Sequence, residues 1–212
     1  MMRIPIAKEG YPFIAIAVLV VLVFWLAGLC WLFYLALALA VFVVAFFRDP
    51  ERSIPGGDAV VSSADGRVIK VEIVEEERFL KAKALKICVF MNVFNVHVNR
   101  APMAGKVVGV HYNPGKFFNA SFDKASLLNE QNAIVMQTES GKQFLAIQIA
   151  GLVARRIVCY AREGQSFKKG ERIGIIRFGS RVDLYLPPDA EALVKVGDKV
   201  SAGSSVVALL KP

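Results

Sequence analysis

Gly164-Gln-Ser-Phe-Lys-Lys-Gly170-Glu-Arg-Ile173 returns 33 residues later as Gly197-Asp-Lys-Val-Ser-Ala-Gly203-Ser-Ser-Val206. In each copy a glycine is followed by a hydrophobic residue three positions on, a second glycine six on and a β-branched residue nine on. Glycine supplies left-handed turn backbone at no steric cost, and β-branched side chains suit a pleated, half-buried surface, so each copy reads as a turn feeding a strand. Outward from this echo, the chain after residue 48 keeps the same rhythm of short apolar runs and turn residues. Strands are predicted at 59–62, 66–73, 85–90, 105–112, 133–138, 144–149, 172–176, 182–186 and 205–209. The stretch 124–132 reads as a loop or short helical turn leading into a strand. With little helical periodicity, the domain is expected to be β-dominated, either all-β or α+β.

The paired glycine turns resemble those of barrel-sandwich folds, as in lipoyl and biotinyl carriers. Such carriers present a lysine at a hairpin tip, usually beside methionine, and no Met-Lys pair occurs here. A lysine-carried cofactor is therefore disfavoured.

Upstream the chemistry changes. From Tyr11 through Phe47 there are 37 consecutive positions without Asp, Glu, Lys or Arg. This run accounts for a mean hydropathy of +0.48 in a chain that is 21% charged. One untilted membrane span takes roughly 20 residues, so 11–47 is long for one span and short for two. A helical hairpin bending near Ala27-Gly28 fits best, making 1–47 an anchor. A single long tilted helix and a cleaved signal peptide are the competing readings, the latter disfavoured because the run far exceeds an h-region. Arg3 and Lys8 before the run and Arg48 and Arg52 after it place both flanks on the cytoplasmic face of the cell membrane. Trp25, Trp31 and Tyr34 suit the far interface.

Residues 48–212 hold 24 Lys and Arg against 17 Asp and Glu, enough chain for one globular domain with its own core. A basic surface suits an anionic leaflet. Nucleic acid is a poorer partner, for there is no zinc spacing, aromatic RNA-binding motif or basic recognition helix. Cys30, Cys88 and Cys159 are odd in number, form no Cys-x-x-Cys and sit in apolar surroundings, which suggests buried thiols in a reducing compartment. With only His97 and His111 besides, no metal site is expected.

The reactive candidates lie in three segments. Ile175-Ile176-Arg177-Phe178-Gly179-Ser180-Arg181-Val182-Asp183 sets a Gly-Ser pair where one apolar strand ends and the next begins. Ser63-Ala-Asp65-Gly66 and Asn92-Val-Phe94-Asn-Val-His97-Val-Asn-Arg100-Ala-Pro102 add an acid and an imidazole. Asp65, His97 and Ser180 are thus the parts of a nucleophile-activating set. Taken singly, Asp65 is an ordinary turn former and His97 an ordinary strand histidine; His111 keeps that plain reading.

These segments, with Tyr112-Asn-Pro-Gly115, Asn119-Ala120, Asp123-Lys-Ala-Ser126 and Asn129-Glu-Gln-Asn132, resemble the short, single-domain phosphatidylserine decarboxylases, which depend on a pyruvoyl group. The resemblance covers nearly everything after residue 48. Longer relatives carry two histidines three apart and a Leu-Gly-Ser-Thr cleavage sequence. Here the first histidine position is Phe94 and the cleavage sequence is Phe-Gly-Ser-Arg, leaving His97 as the one imidazole of the motif.

The resemblance implies self-cleavage between Gly179 and Ser180 into a β fragment, 1–179, and an α fragment, 180–212, held together without a covalent link. It implies attack by Ser180 on the Gly179 carbonyl, His97 as base, Asp65 as its orienting acid, and conversion of Ser180 to a covalent pyruvoyl group. That group would decarboxylate phosphatidylserine to phosphatidylethanolamine through a Schiff base, with neither pyridoxal phosphate nor metal. His97 is expected to protonate the carbanion. Arg100, Asn129, Glu130, Phe117 and Phe118 are weaker candidates for substrate contact, as are Lys124 and Arg181 for a phosphate or carboxylate. The phenylalanines of loop 113–122 either dip toward lipid or bury in a folded loop. Self-association through the hairpin is compatible with the sequence.

Two alternatives stay open. One is a non-catalytic membrane-anchored barrel-sandwich adaptor, which explains the anchor and the glycine echo but not the Asp65, His97 and Ser180 set. The other keeps the pyruvoyl chemistry on a lipid with different tails or a related amino-acid headgroup.

Overall fold

The computed structural model describes residues 5–116, 120, 128–151, 156–177 and 179–210. Two compact units divide the chain, Met1–Glu51 and Arg52–Pro212.

The first unit is a pair of apolar helices, α1 (Tyr11–Leu26) and α2 (Cys30–Phe46). Pro12 sits in the first turn of α1, where its missing N–H costs nothing. Gly28, at φ +69°, ends the helix in a Schellman turn: Leu29 N–H donates to the Phe24 carbonyl and Gly28 N–H to that of Trp25, both at 3.1 Å. The chain then reverses, and its two ends meet. Ala7 N–H donates to the Phe47 carbonyl at 2.8 Å, Asp49 N–H to that of Pro5 at 2.7 Å, and the Phe13 and Phe47 rings stack at 5.3 Å. Gly10 packs so closely on Phe47 that a β-carbon there would collide with its ring. The bend thus falls at Ala27-Gly28, and Lys8 and Arg48 lie at the joined end, opposite exposed Trp25, Trp31 and Tyr34. Lys8–Leu26 is long and apolar enough to cross a membrane; Cys30–Phe46 is apolar but shorter.

The second unit is built from strands. In chain order they are β1 (Ala59–Val61), β2 (Gly66–Glu76), β3 (Ala82–Met91), β4 (Val98–Arg100), β5 (Gly105–Asn113), β6 (Gln131–Gln137) and β7 (Gln143–Ala150). There follow β8 (Ile157–Cys159), β9 (Ser166–Phe167), β10 (Arg172–Ile176), β11 (Ser180–Leu186), β12 (Glu191–Ala192), β13 (Lys199–Val200) and β14 (Val206–Leu209). An eight-stranded sheet runs β13-β2-β3-β11-β7-β6-β5-β9, flanked by the three-stranded sheets β1-β14-β12 and β4-β10-β8. The β-dominated class expected from the sequence holds. The predicted strands recur with shifted ends, and the very short β4, β8, β9, β12 and β13 were not foreseen, being too brief for alternation to show.

The glycine echo has a structural counterpart. Gly164 and Gly197 have positive φ and donate to the carbonyls of Val107 and Val68 at 2.9 and 2.8 Å. Gly170 and Gly203 likewise have positive φ and donate to Ala101 and Ser62, both at 2.8 Å. Strands follow suit: β9 pairs with β5 and β13 with β2, while β10 pairs with β4 and β14 with β1. The two copies therefore make matching pairs of ladders, the turn-and-strand repeat that the echo predicts.

Strand β11 is buried along its whole length between β3 and β7. Val182, Leu184 and Leu186 enter the main core with Ile87, Val89, Met91, Ile134, Met136 and Phe144. The alternate positions turn to the other face, where Tyr185 packs with Leu145, Ile147 and Ile149. Cys88 is buried and Cys159 half-buried, as expected of structural thiols, whereas Cys30 is exposed on α2.

Candidate functional site

Ser180 opens β11 and is fully buried. It pairs with Met91 at the end of β3 and with Ala150 at the end of β7, and its Oγ lies 3.9 Å from Met91 Sδ. The preceding Gly179 takes φ +47°, which L side chains adopt with strain. Its carbonyl oxygen occupies the space a β-carbon on Gly151 would need. Two glycines, one on each side of the contact, thus let the peptide before Ser180 lie against the turn after β7.

His97 reaches the same end of the sheet by a short return from β3. After Met91 the chain turns on Asn92, whose Oδ1 accepts from Phe94 N–H at 2.9 Å; Asn95 Oδ1 accepts from Asn92 N–H at 2.9 Å. These side-chain-to-backbone bonds mimic a turn, the usual work of asparagine. His97 follows, fully buried, and its carbonyl accepts from Ile176 N–H at 3.3 Å, where β10 leads toward Ser180. Its Nδ1 is 2.9 Å from the Asn95 carbonyl. A carbonyl only accepts, so Nδ1 carries the proton, and neutral His97 keeps its lone pair on Nε2. Phe94, at the position where longer relatives have a histidine, is 72% exposed.

Asp65 is tied to Arg52 and to the turn at Ala202. Both carboxylate oxygens accept from Arg52 Nη2, at 3.0 and 2.9 Å, and Oδ1 accepts from Ala202 N–H at 2.8 Å. In this structure the Asn95 carbonyl orients His97 Nδ1, while Asp65 is engaged where the turn before β2 meets the turn after β13. Arg100 is buried, donates to the Gly170 carbonyl at 3.0 Å and packs against Gly203. Asn129 is buried and donates to the Ala150 carbonyl at 2.7 Å, bracing the residue that pairs with Ser180. Glu130 lies beside an open cleft of about 730 Å³ lined also by Tyr112, Pro114, Arg156, Ile157 and Cys159. Its Oε1 accepts from Ile157 N–H at 3.4 Å. Slight desolvation, with the neighbouring Glu130 carboxylate adding to it, raises the Tyr112 phenol above its ordinary range. Phe117, Phe118 and Lys124 lie outside the described residues. His111 stacks on Phe79 at 5.1 Å, as its plain strand reading allows.

Several residues were invisible to sequence reasoning. Met91 reads as a core methionine, and Gly151 as a loop glycine. Asn99, Gln148 and Asn132 form a buried chain of amides: Asn132 Nδ2 donates to Gln148 Oε1 at 3.0 Å and Gln148 Nε2 to Asn99 Oδ1 at 2.9 Å. Arg181, read as a charge near the cut, is 1% exposed and paired with Asp183. The only available signal was that Asn99 and Asn132 fall inside quoted motifs.

The site can do one kind of chemistry well. A buried hydroxyl follows a glycine peptide in a left-handed turn, and the buried His97 imidazole, with Nδ1 on the Asn95 carbonyl, keeps Nε2 as its basic nitrogen. Among the described residues, no three of His, Cys, Asp and Glu gather as a metal set.

Comparison with known proteins adds identity to geometry. The pattern of one family, described as phosphatidylserine decarboxylase, matches residues 39–208. A phosphatidylserine decarboxylase proenzyme of Burkholderia ambifaria is 53% identical over 210 residues, covering 97% of this chain and 96% of that protein. Another proenzyme of the same description, from Burkholderia pseudomallei, is 54% identical over 209 residues, covering 97% and 95%.

Proposed function

The chain belongs to the phosphatidylserine decarboxylase family, and from that premise we propose how its own residues do the work. It is a lyase made as a proenzyme, which processes itself and then removes carbon dioxide from phosphatidylserine to give phosphatidylethanolamine. The adaptor reading is not favoured, since it explains neither the family match nor the Gly179-Ser180 geometry.

Ser180 Oγ attacks the Gly179 carbonyl carbon; the peptide C–N bond breaks as an ester forms, freeing the amine of residue 180. Glycine on both sides of that carbonyl, at 179 and 151, gives the attack room. His97 Nε2 takes the hydroxyl proton. Loss of the Cα proton of residue 180 then expels Oγ with the Gly179 carboxylate, and the dehydroalanine left behind tautomerises and hydrolyses, releasing ammonia. Fragments 1–179 and 180–212 remain joined because β11 is laddered to β3 and β7 on both sides.

The pyruvoyl group so formed from Ser180 supplies an electron sink, a ketone conjugated to an amide that engages the substrate amine and draws off the electron pair left by carbon dioxide. The buried, glycine-cradled position of residue 180 suits such a small group. His97 returns a proton to the product carbon. Asp65 supports the site through Arg52 and the turn at Ala202, and Asn129 through Ala150. The headgroup enters by the cleft of Tyr112, Glu130 and Arg156, whose guanidinium matches a phosphodiester. Neither pyridoxal phosphate nor metal is required. Phe117 and Phe118 contact lipid in this reading.

The apolar hairpin inserts in the cell membrane from the cytoplasmic side, so that enzyme and lipid meet by lateral diffusion. Lys8 and Arg48 at its joined ends support that orientation. Protease added to inside-out vesicles should digest the catalytic domain, and digestion only in right-side-out vesicles would reverse the topology.

The single observation carrying the reading is the buried Ser180 behind a left-handed Gly179 in a chain of this family. Intact mass measurement of the detergent-purified protein tests it. An α fragment starting at residue 180 and about 17 Da lighter than hydrolysis alone would give is expected, from loss of ammonia after serine attack. A lasting single chain of 23.2 kDa would overturn it.

A further inference from the structure

The buried amides beside Ser180 have a direction. Asn132 donates to Gln148, and Gln148 donates to Asn99 Oδ1. Asn99 is thereby left with Nδ2 pointing onward, and it meets Met91 Sδ at 3.7 Å, the same sulfur that Ser180 Oγ approaches at 3.9 Å. Reversing the amides would turn Asn99 Oδ1 onto the lone pairs of that sulfur, which favours the sense in which Asn99 Nδ2 faces it. Asn99, Gln148 and Ser180 are 0% exposed and Asn132 2%. A thioether is a weak acceptor. A buried amide donor spent on it is held ready for a better acceptor, at little cost when it leaves the sulfur. Asn99 also stands two residues beyond His97, and such positions on an extended chain share a face.

We propose that Asn99 is a further catalytic residue of self-processing: its Nδ2–H donates to Ser180 Oγ and stabilises the charge that grows there as the ester is eliminated. The inference rests on the self-processing reading above. In that step the Cα proton of residue 180 passes to a base and its electron pair becomes the Cα–Cβ double bond. The Cβ–Oγ bond breaks, and Oγ departs with its electrons as one oxygen of the Gly179 carboxylate. A donor already fixed beside Oγ needs no reorganisation as that charge appears. Gln148 and Asn132 are positioning residues, which hold the Asn99 amide with its donor forward.

The test uses the full chain in detergent, with cleavage followed by mass. Asn99→Leu keeps nearly the volume of the side chain but removes the donor, and should slow appearance of the pyruvoyl-ended α fragment by about 100- to 1,000-fold. Attack precedes elimination, so the ester should accumulate. Added hydroxylamine should then cut it, leaving a hydroxamate on Gly179 and an α fragment with an intact serine terminus, about 17 Da heavier than the pyruvoyl form because amine and hydroxyl are kept. Gln148→Ala, which leaves the donor but frees its orientation, should give a smaller slowing with the same hydroxylamine-sensitive species. A merely structural role would not move that signature. Wild-type processing in both variants, or slowing with no trappable ester in either, overturns the proposal while leaving self-processing intact. A wild-type chain that never cleaves overturns both.

Discussion

Arg181 and Asp183, two residues apart on β11, face one another in a fully buried ion pair, with Nη2 2.7 Å from Oδ2. Both belong to the short fragment, 180–212, that cleavage would create. Lys86 on β3, in the long fragment, brings its Nζ to 3.5 Å from Asp183 Oδ2, and Arg181 Nη2 lies 3.4 Å from Cys88 Sγ. Burial opposes the charge on Arg181, but Asp183 outweighs it and raises the guanidinium further. Removing one partner strands the other charge, so Asp183→Asn should destabilise the chain by about 3–5 kcal/mol. The double change Arg181→Met, Asp183→Leu should recover much of that loss. Denaturant unfolding of the precursor form, held by Ser180→Ala, measures both; equal stability of Asp183→Asn and its parent would show the pair to be inert.

Gly151→Ala should block processing with little damage to the sheet. Its β-carbon would occupy the place of the Gly179 carbonyl oxygen, displacing the scissile peptide by about an ångström, a shift that costs roughly 100-fold in rate. Cleavage at the wild-type rate would show that the peptide reacts from another position.

Ser180→Ala should not cleave at all, since no nucleophile remains. His97→Ala should slow cleavage by about 100- to 10,000-fold, the usual worth of a general base. Asp65→Asn should cost less than His97→Ala, because the Asn95 carbonyl still orients Nδ1. Timed gels of the three variants rank them, and an Asp65→Asn defect as large as that of His97→Ala would restore the acid to a direct role.

Arg156→Ala should raise KM for short-chain phosphatidylserine more than it lowers kcat, and should leave self-cleavage unchanged. A missing guanidinium removes a charge-assisted contact to phosphate present in both ground and transition states. Unchanged KM would move the headgroup elsewhere.

Alkali should unfold the catalytic domain earlier than its lysines alone would require. Burial pushes the Cys88 thiol well above its ordinary value of 9.0 and the Tyr185 phenol up to about 12, Asp183 adding to both. In the unfolded chain these groups lose protons near 9 and 10, so there the folded state binds more protons than the unfolded one. Their contribution is fully present below pH 9 and is lost as pH rises above it. Melting temperatures from pH 8 to 11 should fall less steeply in a Cys88→Ala, Tyr185→Phe variant; parallel curves would remove these groups from the account.

Local physics made much of this legible in the amino-acid order. Thirty-seven uncharged positions with a glycine near the middle read as an apolar hairpin, because glycine accepts the left-handed cap that ends its first helix. The glycine echo from 164 to 206 specified paired turns for the same steric reason, and the Gly179-Ser180 pair stood out by its motif company. What tertiary structure decided is partnership. Alternation says that Arg181 and Asp183 share a face, but only the placing of β11 between β3 and β7 puts that face inside the protein. Met91, Asn99 and Ser180 are scattered over ninety positions, and strand pairing alone brings them to one sulfur. Asp65 turns to Arg52, and His97 to Asn95, because each side chain takes the nearest partner its backbone geometry offers, which depends on register and turn geometry rather than on residue type.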